Sequence, residues 1–287
     1  MEILEKYYRS LIRQIQHLPE NTAIPAIYLL SGCIPVAGLV HIKMMTFLGE
    51  IARSQPSSIA DIIQRQIAIK DLSSNSWVTQ IRKILHKYNL PPPFEVFQDR
   101  PGKSEWKHKV KKVVRDFWQE SLVSKAETMP SLVYLDIENC CPGRIHDVWS
   151  HNSTVLDVYR ATVKARLLVK RYPLAASSYA GRNKPNECNL CKDGDETTPH
   201  FLLECKALEA ERTKHLSRMI TLAESLGLST THDSLMKLIL TPRVMLGTSD
   251  VEILERMSRD LIFALHNKRC ILLGGENQYK KVVKVKS

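Results

Sequence analysis

The chain has 287 residues, 44% of them apolar and 25% charged. These values are ordinary for globular proteins and set aside wholesale disorder, collagen-like repeats and disulfide scaffolds. Eleven glycines, 7% aromatics and long segments of helical period argue against an all-β sandwich or barrel. Lys and Arg number 41 against 30 Asp and Glu, and the net charge of +11 favours a polyanionic partner without choosing between nucleic acid and an acidic membrane surface.

The first residues, Met1 to Arg9, carry charges where an export peptide needs its apolar region, so the expected location is intracellular, nuclear or cytoplasmic. Ile3, Leu4, Tyr7, Tyr8, Leu11, Ile12, Ile15 and Leu18 fall at three- and four-residue spacings, the stripe of an amphipathic helix that Pro19 stops. Ala23 to Val40 approaches the length of a membrane span. Pro25, Gly32, Pro35 and Gly38 divide it instead into a buried helical hairpin, and no membrane partner is expected. Helices are predicted over 36–53, over 59–70 with a serine cap, and through Trp77, Ile81, Ile84, Leu85 and Tyr88, the last ending at Pro91-Pro92-Pro93.

Beyond the prolines, Trp106, Val110, Val113, Val114, Phe117 and Trp118 make one apolar face, while Lys107, Lys109, Lys111, Lys112 and Arg115 crowd the rest of the turn. Seven bases face one acid between Arg100 and Arg115, the pattern of a cationic amphipathic helix. Leu132 to Ile137 is the one strand candidate. Helical spacing returns over 155–171, and the interval 160–184 holds Arg160, Lys164, Arg166, Lys170, Arg171, Arg182 and Lys184 with no acid. Helices follow at about 207–226 and 235–240. A last one is announced by Ser249 and Glu252, placed as a capping box, and runs to about Cys270 before a basic tail.

Seven cysteines make an odd set for a disulfide framework, so reduced thiols are the expectation. Cys33 and Cys270 sit on apolar helical faces as small hydrophobes, and the adjacent Cys140 and Cys141 are poorly placed to share one tetrahedral ion, even with His146 and His151 following. The remaining three, with a histidine, form Cys188-x2-Cys191-x8-His200-x4-Cys205. A C-x2-C turn lets two thiolates converge on one ion, and a later His and Cys complete a closed tetrahedron, which makes Zn2+ the expected metal. Residues 186–211 contain seven acids and two bases, so the zinc segment is predicted to brace the neighbouring basic stretch rather than hold phosphate itself.

Leu18-Pro19-Glu20-Asn21-Thr22, Ile27-Tyr28-Leu29-Leu30-Ser31-Gly32-Cys33-Ile34-Pro35, His41-Ile42-Lys43, Ala165-Arg166-Leu167-Leu168-Val169-Lys170-Arg171-Tyr172 and the Cys188 to Cys205 segment resemble, in this order, one family. It is the C-terminal region, thumb or connector plus zinc-binding domain, of animal non-LTR (LINE-type) retrotransposon reverse transcriptases. The resemblance covers nearly the whole chain and implies a thumb-like or connector region over 1–154, a basic helix with a CCHC zinc-binding domain over 155–215, and a C-terminal helical region over 216–287. It implies that Cys188, Cys191, His200 and Cys205 are the metal ligands and that the partners are RNA or DNA, together with a polymerase palm module.

Polymerisation needs paired carboxylates around two metal ions. The chain has no Asp-Asp pair, and Ile137 follows Tyr134-Leu135-Asp136 where a second aspartate would stand. A Pro-Asp nuclease signature, glycine-rich phosphate loops and H-E-x-x-H are also absent from the sequence. The expectation is a mainly α, zinc-stabilised, non-catalytic nucleic-acid-binding chain with helical bundle segments. A zinc-held protein-interaction module is the alternative.

Overall fold

The computed structural model describes residues 1–150, 152–176, 185–245 and 250–274. The fold is mainly α. Eleven α-helices are seen among the described residues: α1 (Glu2–Ile15), α2 (Ile24–Ser31), α3 (Val36–Arg53), α4 (Ser58–Ile69), α5 (Trp77–Lys87), α6 (Pro93–Asp99), α7 (Lys103–Glu127), α8 (Val155–Leu168), α9 (Glu209–Ser225), α10 (His232–Leu240) and α11 (Val251–Leu272). No strand occurs among these residues, only an isolated antiparallel bridge between Glu187 and Asp195. The chain divides into two compact units, residues 1–9 with 34–122 and residues 10–33 with 123–287.

In the first unit α3 packs against α4, α5 and α6. Met45, Leu48, Ile81, Leu85, Val110 and Val114 are fully buried. Two glycines of α3 allow tryptophans of α7 to approach: a Cβ on Gly49 would lie 2.4 Å from the Trp106 ring, and one on Gly38 would lie 2.5 Å from Trp118. The Trp106 indole N–H donates to the Met45 carbonyl at 2.8 Å, so this buried polar atom is satisfied. Ser57 caps α4 by accepting from the Ala60 N–H, and Ser76 caps α5 by accepting from Thr79. The proline run that ends α5 also begins α6. Pro93 occupies its first turn, where a missing N–H costs no helical hydrogen bond.

In the second unit α11 is the hub, packing against α8, α9 and α10. Its Leu254, Leu261, Ile262 and Leu265 are buried, as are Ala161, Ala165 and Leu168 of α8. α8 starts at a full capping box in which the Thr154 side chain accepts from the Asp157 N–H and Asp157 accepts from Thr154. α2 is buried from Pro25 to Leu30 and ends at Gly32, whose φ of +66° is left-handed. The Arg144 carbonyl would lie 2.2 Å from any Cβ there. Gly32 therefore combines a strained backbone with a close backbone approach, and no other residue fits both.

One local expectation fails. The run 132–137 is not a strand. A 3-10 turn over Pro130–Leu132 leads into further turns, and Leu132 and Leu135, three apart, are the buried pair. A six-residue run with five apolar residues does not define a strand without a neighbour to complete its ladder, and none is present among the described residues. The amphipathic helix near the N-terminus forms as α1, but its apolar stripe is largely uncovered: Ile12 is buried, while Ile3, Tyr7 and Ile15 are 74%, 72% and 68% exposed. The proposed Ser249 cap lies outside the described residues. No single helix among the described residues is long and apolar enough to cross a membrane.

Candidate metal centre

The metal segment opens with a short hairpin. The Cys188 N–H donates to the Gly194 carbonyl at 2.9 Å and Glu196 to Asn186 at 2.8 Å, while Lys192 and Gly194 adopt left-handed φ values of +56° and +80° to reverse the chain. Cys188 and Cys191 stand on the first turn of this hairpin. A π-helical turn over His200–Glu204 carries the histidine, and the Cys205 N–H closes it onto the His200 carbonyl at 2.7 Å.

These elements bring together ligand atoms that all lie within 4.8 Å of one another. Cys188 Sγ stands 3.9 Å from Cys205 Sγ, and Cys191 Sγ stands 3.3 Å from His200 Nε2. Ligands on a tetrahedron around an ion with bonds of about 2.3 Å are separated by about 3.8 Å, so the arrangement fits a closed four-coordinate ion. Cys188, Cys205 and His200 are buried. Burial, followed by the neighbouring Cys188 and Cys191 thiols, pushes the Cys205 thiol up to about 12 against a hydrogen bond from the Ala207 backbone. A bound cation would offset that cost for the Cys205 thiolate. His200 Nδ1 points to the Glu204 carboxylate at 3.8 Å, the outer partner usual for a ligating imidazole.

Two buried ion contacts outside the ligand set hold the segment. Arg212 of α9 donates from Nε to the Leu202 carbonyl at 2.9 Å and from Nη2 to the Cys205 carbonyl at 2.8 Å, clamping the turn that carries two ligands. Glu196 is only 2% exposed. It accepts from Arg269 of α11 at 2.7 and 3.1 Å and from the Ala175 N–H at 2.7 Å. Glu196 is thus not one of the surface acids of a phosphate-repelling loop but a latch between the Cys188–Cys205 segment and α11. Neither role has a local signature, because each depends on a partner elsewhere in the chain. The segment's surface acids are partly matched as well: Asp193 pairs with Lys206 at 2.7 Å and Glu204 with His232 at 3.2 Å.

The basic residues divide sharply. On α7, Lys107, Lys109, Lys112 and Arg115 are exposed and Lys111 is half-exposed, while Trp106, Val110 and Val114 point inward. On α8 the expectation of a phosphate-facing surface needs correction at Lys164, which is fully buried, bonded to Glu255 Oε2 at 2.7 Å and to Ser258 Oγ at 2.8 Å. It cannot reach a phosphate while the helix stays packed. Arg160 pairs with Asp157 and Asp260, and Arg166 donates to the His17 carbonyl at 2.9 and 3.2 Å. The Lys170 ammonium lies 5.1 Å from the centre of the Tyr134 ring, and Arg171 is half-buried. Arg182 and Lys184 fall outside the described residues, as does His151. Cys140, Cys141 and His146 join no ion-holding group among the described residues, and Cys140 donates to the Asp136 carbonyl at 3.1 Å.

Comparison with protein-family models, curated proteins and solved structures finds no match to this chain.

Proposed function

We propose that this chain is a non-catalytic nucleic-acid-binding region whose second unit is held by zinc, similar to the part of LINE-type reverse transcriptases that follows the polymerase palm. The observation that carries this reading is the exposed cationic face of α7, where Lys107, Lys109, Arg115 and Lys112, the last paired with Asp116 at 2.8 Å on the surface, line one helix whose other face is core. Charges fixed on a helix track a phosphate backbone without the ordering cost of a flexible tail. The net charge of +11 adds long-range attraction. Since α8 commits its basic residues largely to internal partners, phosphate contact moves to α7. A palm module would supply the carboxylates that this chain lacks.

Replacing Lys107, Lys109, Lys112 and Arg115 with glutamine is expected to weaken binding of RNA and single-stranded DNA across sequences. It should also flatten the dependence of log affinity on log salt by roughly 3, at about 0.7 for each phosphate that is no longer neutralised. A salt titration of the wild-type chain and the variant makes the measurement. Unchanged affinity and slope in a folded variant would sink the assignment.

A second reading, a protein-interaction module, is favoured by the outward stripe of Ile3, Tyr7, Leu11 and Ile15 on α1. Docking through that stripe would be nearly independent of salt, which separates it from phosphate binding.

A further inference from the structure

The second unit carries a groove of about 640 Å3 lined by α10 and by residues 133–138, with none of the metal ligands in its lining. Asp233, Met236, Lys237 and Leu240 of α10 line it at positions i, i+3, i+4 and i+7, so a single face of that helix forms one wall. The floor is apolar, since Leu135, Met236 and Leu240 line the groove and are buried. Val133 and Val244 also line it, yet they stay 66% and 52% exposed. A groove with an apolar floor and exposed apolar edges gains most from a partner that brings apolar side chains of its own. Met236 suits such a surface, because its unbranched thioether adapts to side chains of different shape.

Charge narrows the choice of partner. Glu127, Asp136, Glu138 and Asp233 line the groove, and Lys237 is the one lysine or arginine among the described residues that lines it. His232, the remaining base, lies 3.2 Å from Glu204. Glu127, Glu138 and Asp233 are exposed. Burial raises the Asp136 pKa, and the Glu138 and Asp147 charges add to the rise against hydrogen bonds from Asn139. In a chain of net charge +11, this groove is a local reversal of sign. It repels a phosphate backbone. Lysine and arginine side chains, by contrast, are long enough to reach the exposed carboxylates while the residues between them rest on the floor. A small polycation would meet the carboxylates but leave the valines uncovered, and an uncharged apolar ligand would strip water from the carboxylates without pairing them.

We propose that the α10 groove docks a peptide segment of a partner protein in which lysine or arginine is interspersed with aliphatic residues. The aliphatic side chains cover Leu135, Met236 and Leu240, and the basic ones pair with Glu127, Glu138 and Asp233. The proposal goes beyond the nucleic-acid reading and does not depend on it, since phosphate contact is assigned to α7 and this groove makes a protein contact. Its charge pairs stay close to solvent, so salt weakens them, while the apolar share of the binding persists.

The test measures, by fluorescence anisotropy, binding of the full chain to a labelled nine-residue peptide of alternating lysine and valine. Two control peptides carry glutamate for every lysine or serine for every valine. The lysine–valine peptide should bind roughly tenfold more tightly than either control. Glu127→Gln, Glu138→Gln and Asp233→Asn together should weaken its binding by about tenfold, the loss expected of three exposed ion pairs. Val133→Ser with Val244→Ser should weaken it by a similar factor, about tenfold, and leave the lysine–serine peptide unaffected. Circular dichroism checks the fold of both variants. Equal binding of the lysine–valine and lysine–serine peptides, or unchanged affinity in the folded carboxylate variant, would overturn the proposal. Displacement of the peptide by an equal concentration of spermine would assign the groove to a small polycation and equally overturn it. Binding seen only after removal of residues 275–287 would assign the groove to the chain's own basic tail, against a separate partner.

Discussion

A lysine ammonium without solvent around it has to find its acceptors inside the protein, and Lys164 finds Glu255 and Ser258. Ser258 passes the chain on by donating to the Ile239 carbonyl, which ties α8, α10 and α11 together. Burial lowers the Lys164 pKa and raises that of Glu255, and the attraction between the two opposes both shifts. Each partner therefore depends on the other to stay charged. Lys164→Met alone is expected to destabilise the protein by about 3 kcal/mol or more, because it leaves a buried carboxylate with less compensation. The double variant Lys164→Met, Glu255→Met should recover much of that loss. Denaturant midpoints for the three proteins make the comparison, and a single variant as stable as wild type would show that the pair is not holding the interface.

At the scale of elements, the segment from Asn186 to Cys205 contains a two-turn hairpin and one π-helical turn, and its buried residues are mostly ligands or neighbours such as Phe201 and Leu202. So little apolar surface cannot order twenty residues by itself, and metal binding of this type contributes on the order of 10 kcal/mol to local folding. The purified chain should hold one zinc, and Cys191→Ser and His200→Ala should each lose it and open residues 185–212 to protease. α9 and α11 should keep their helicity, since α11 packs against α8, α9 and α10. Metal analysis and limited proteolysis provide the readout. Full zinc occupancy in both variants would remove these residues from the ligand set.

For the whole molecule, acid should weaken the fold before the carboxylates titrate. Burial pushes His146 and His266 down to about 4 and lowers His41 and His215. An unfolded chain binds protons at these residues near pH 6.5, so between about pH 6.5 and 4 it holds more protons than the folded chain. Stability is then highest above that window and falls as pH drops through it. Urea midpoints should decrease from pH 7 to pH 5 with zinc content monitored, and His146→Asn with His266→Gln should flatten the decrease. Constant midpoints over that range, with zinc retained, would show that these imidazoles take up protons without opening the fold.

The sequence by itself determined most of the helices and the four residues that gather as a candidate metal site, because both are written in short intervals. Three- and four-residue apolar spacing specifies a helix wherever it occurs, and Cys188, Cys191, His200 and Cys205 lie within 18 residues, close enough for one hairpin and one turn to gather them. The proline run reads in sequence only as a stop, and the structure adds that Pro93 also starts α6, because a first-turn residue needs no N–H partner whereas an interior one does. What only the tertiary structure decided is which charges face water. Lys107 and Lys164 are alike in sequence, each a lysine on a basic helix, yet one is exposed and the other is fully buried beside a carboxylate 91 residues away. Glu196 and Asp195 are adjacent acids of one loop, but Glu196 is buried against Arg269 and Asp195 is exposed. Helical period records that a face is apolar or polar, but a buried ion pair is made by two distant segments meeting, and neither segment carries the other's position.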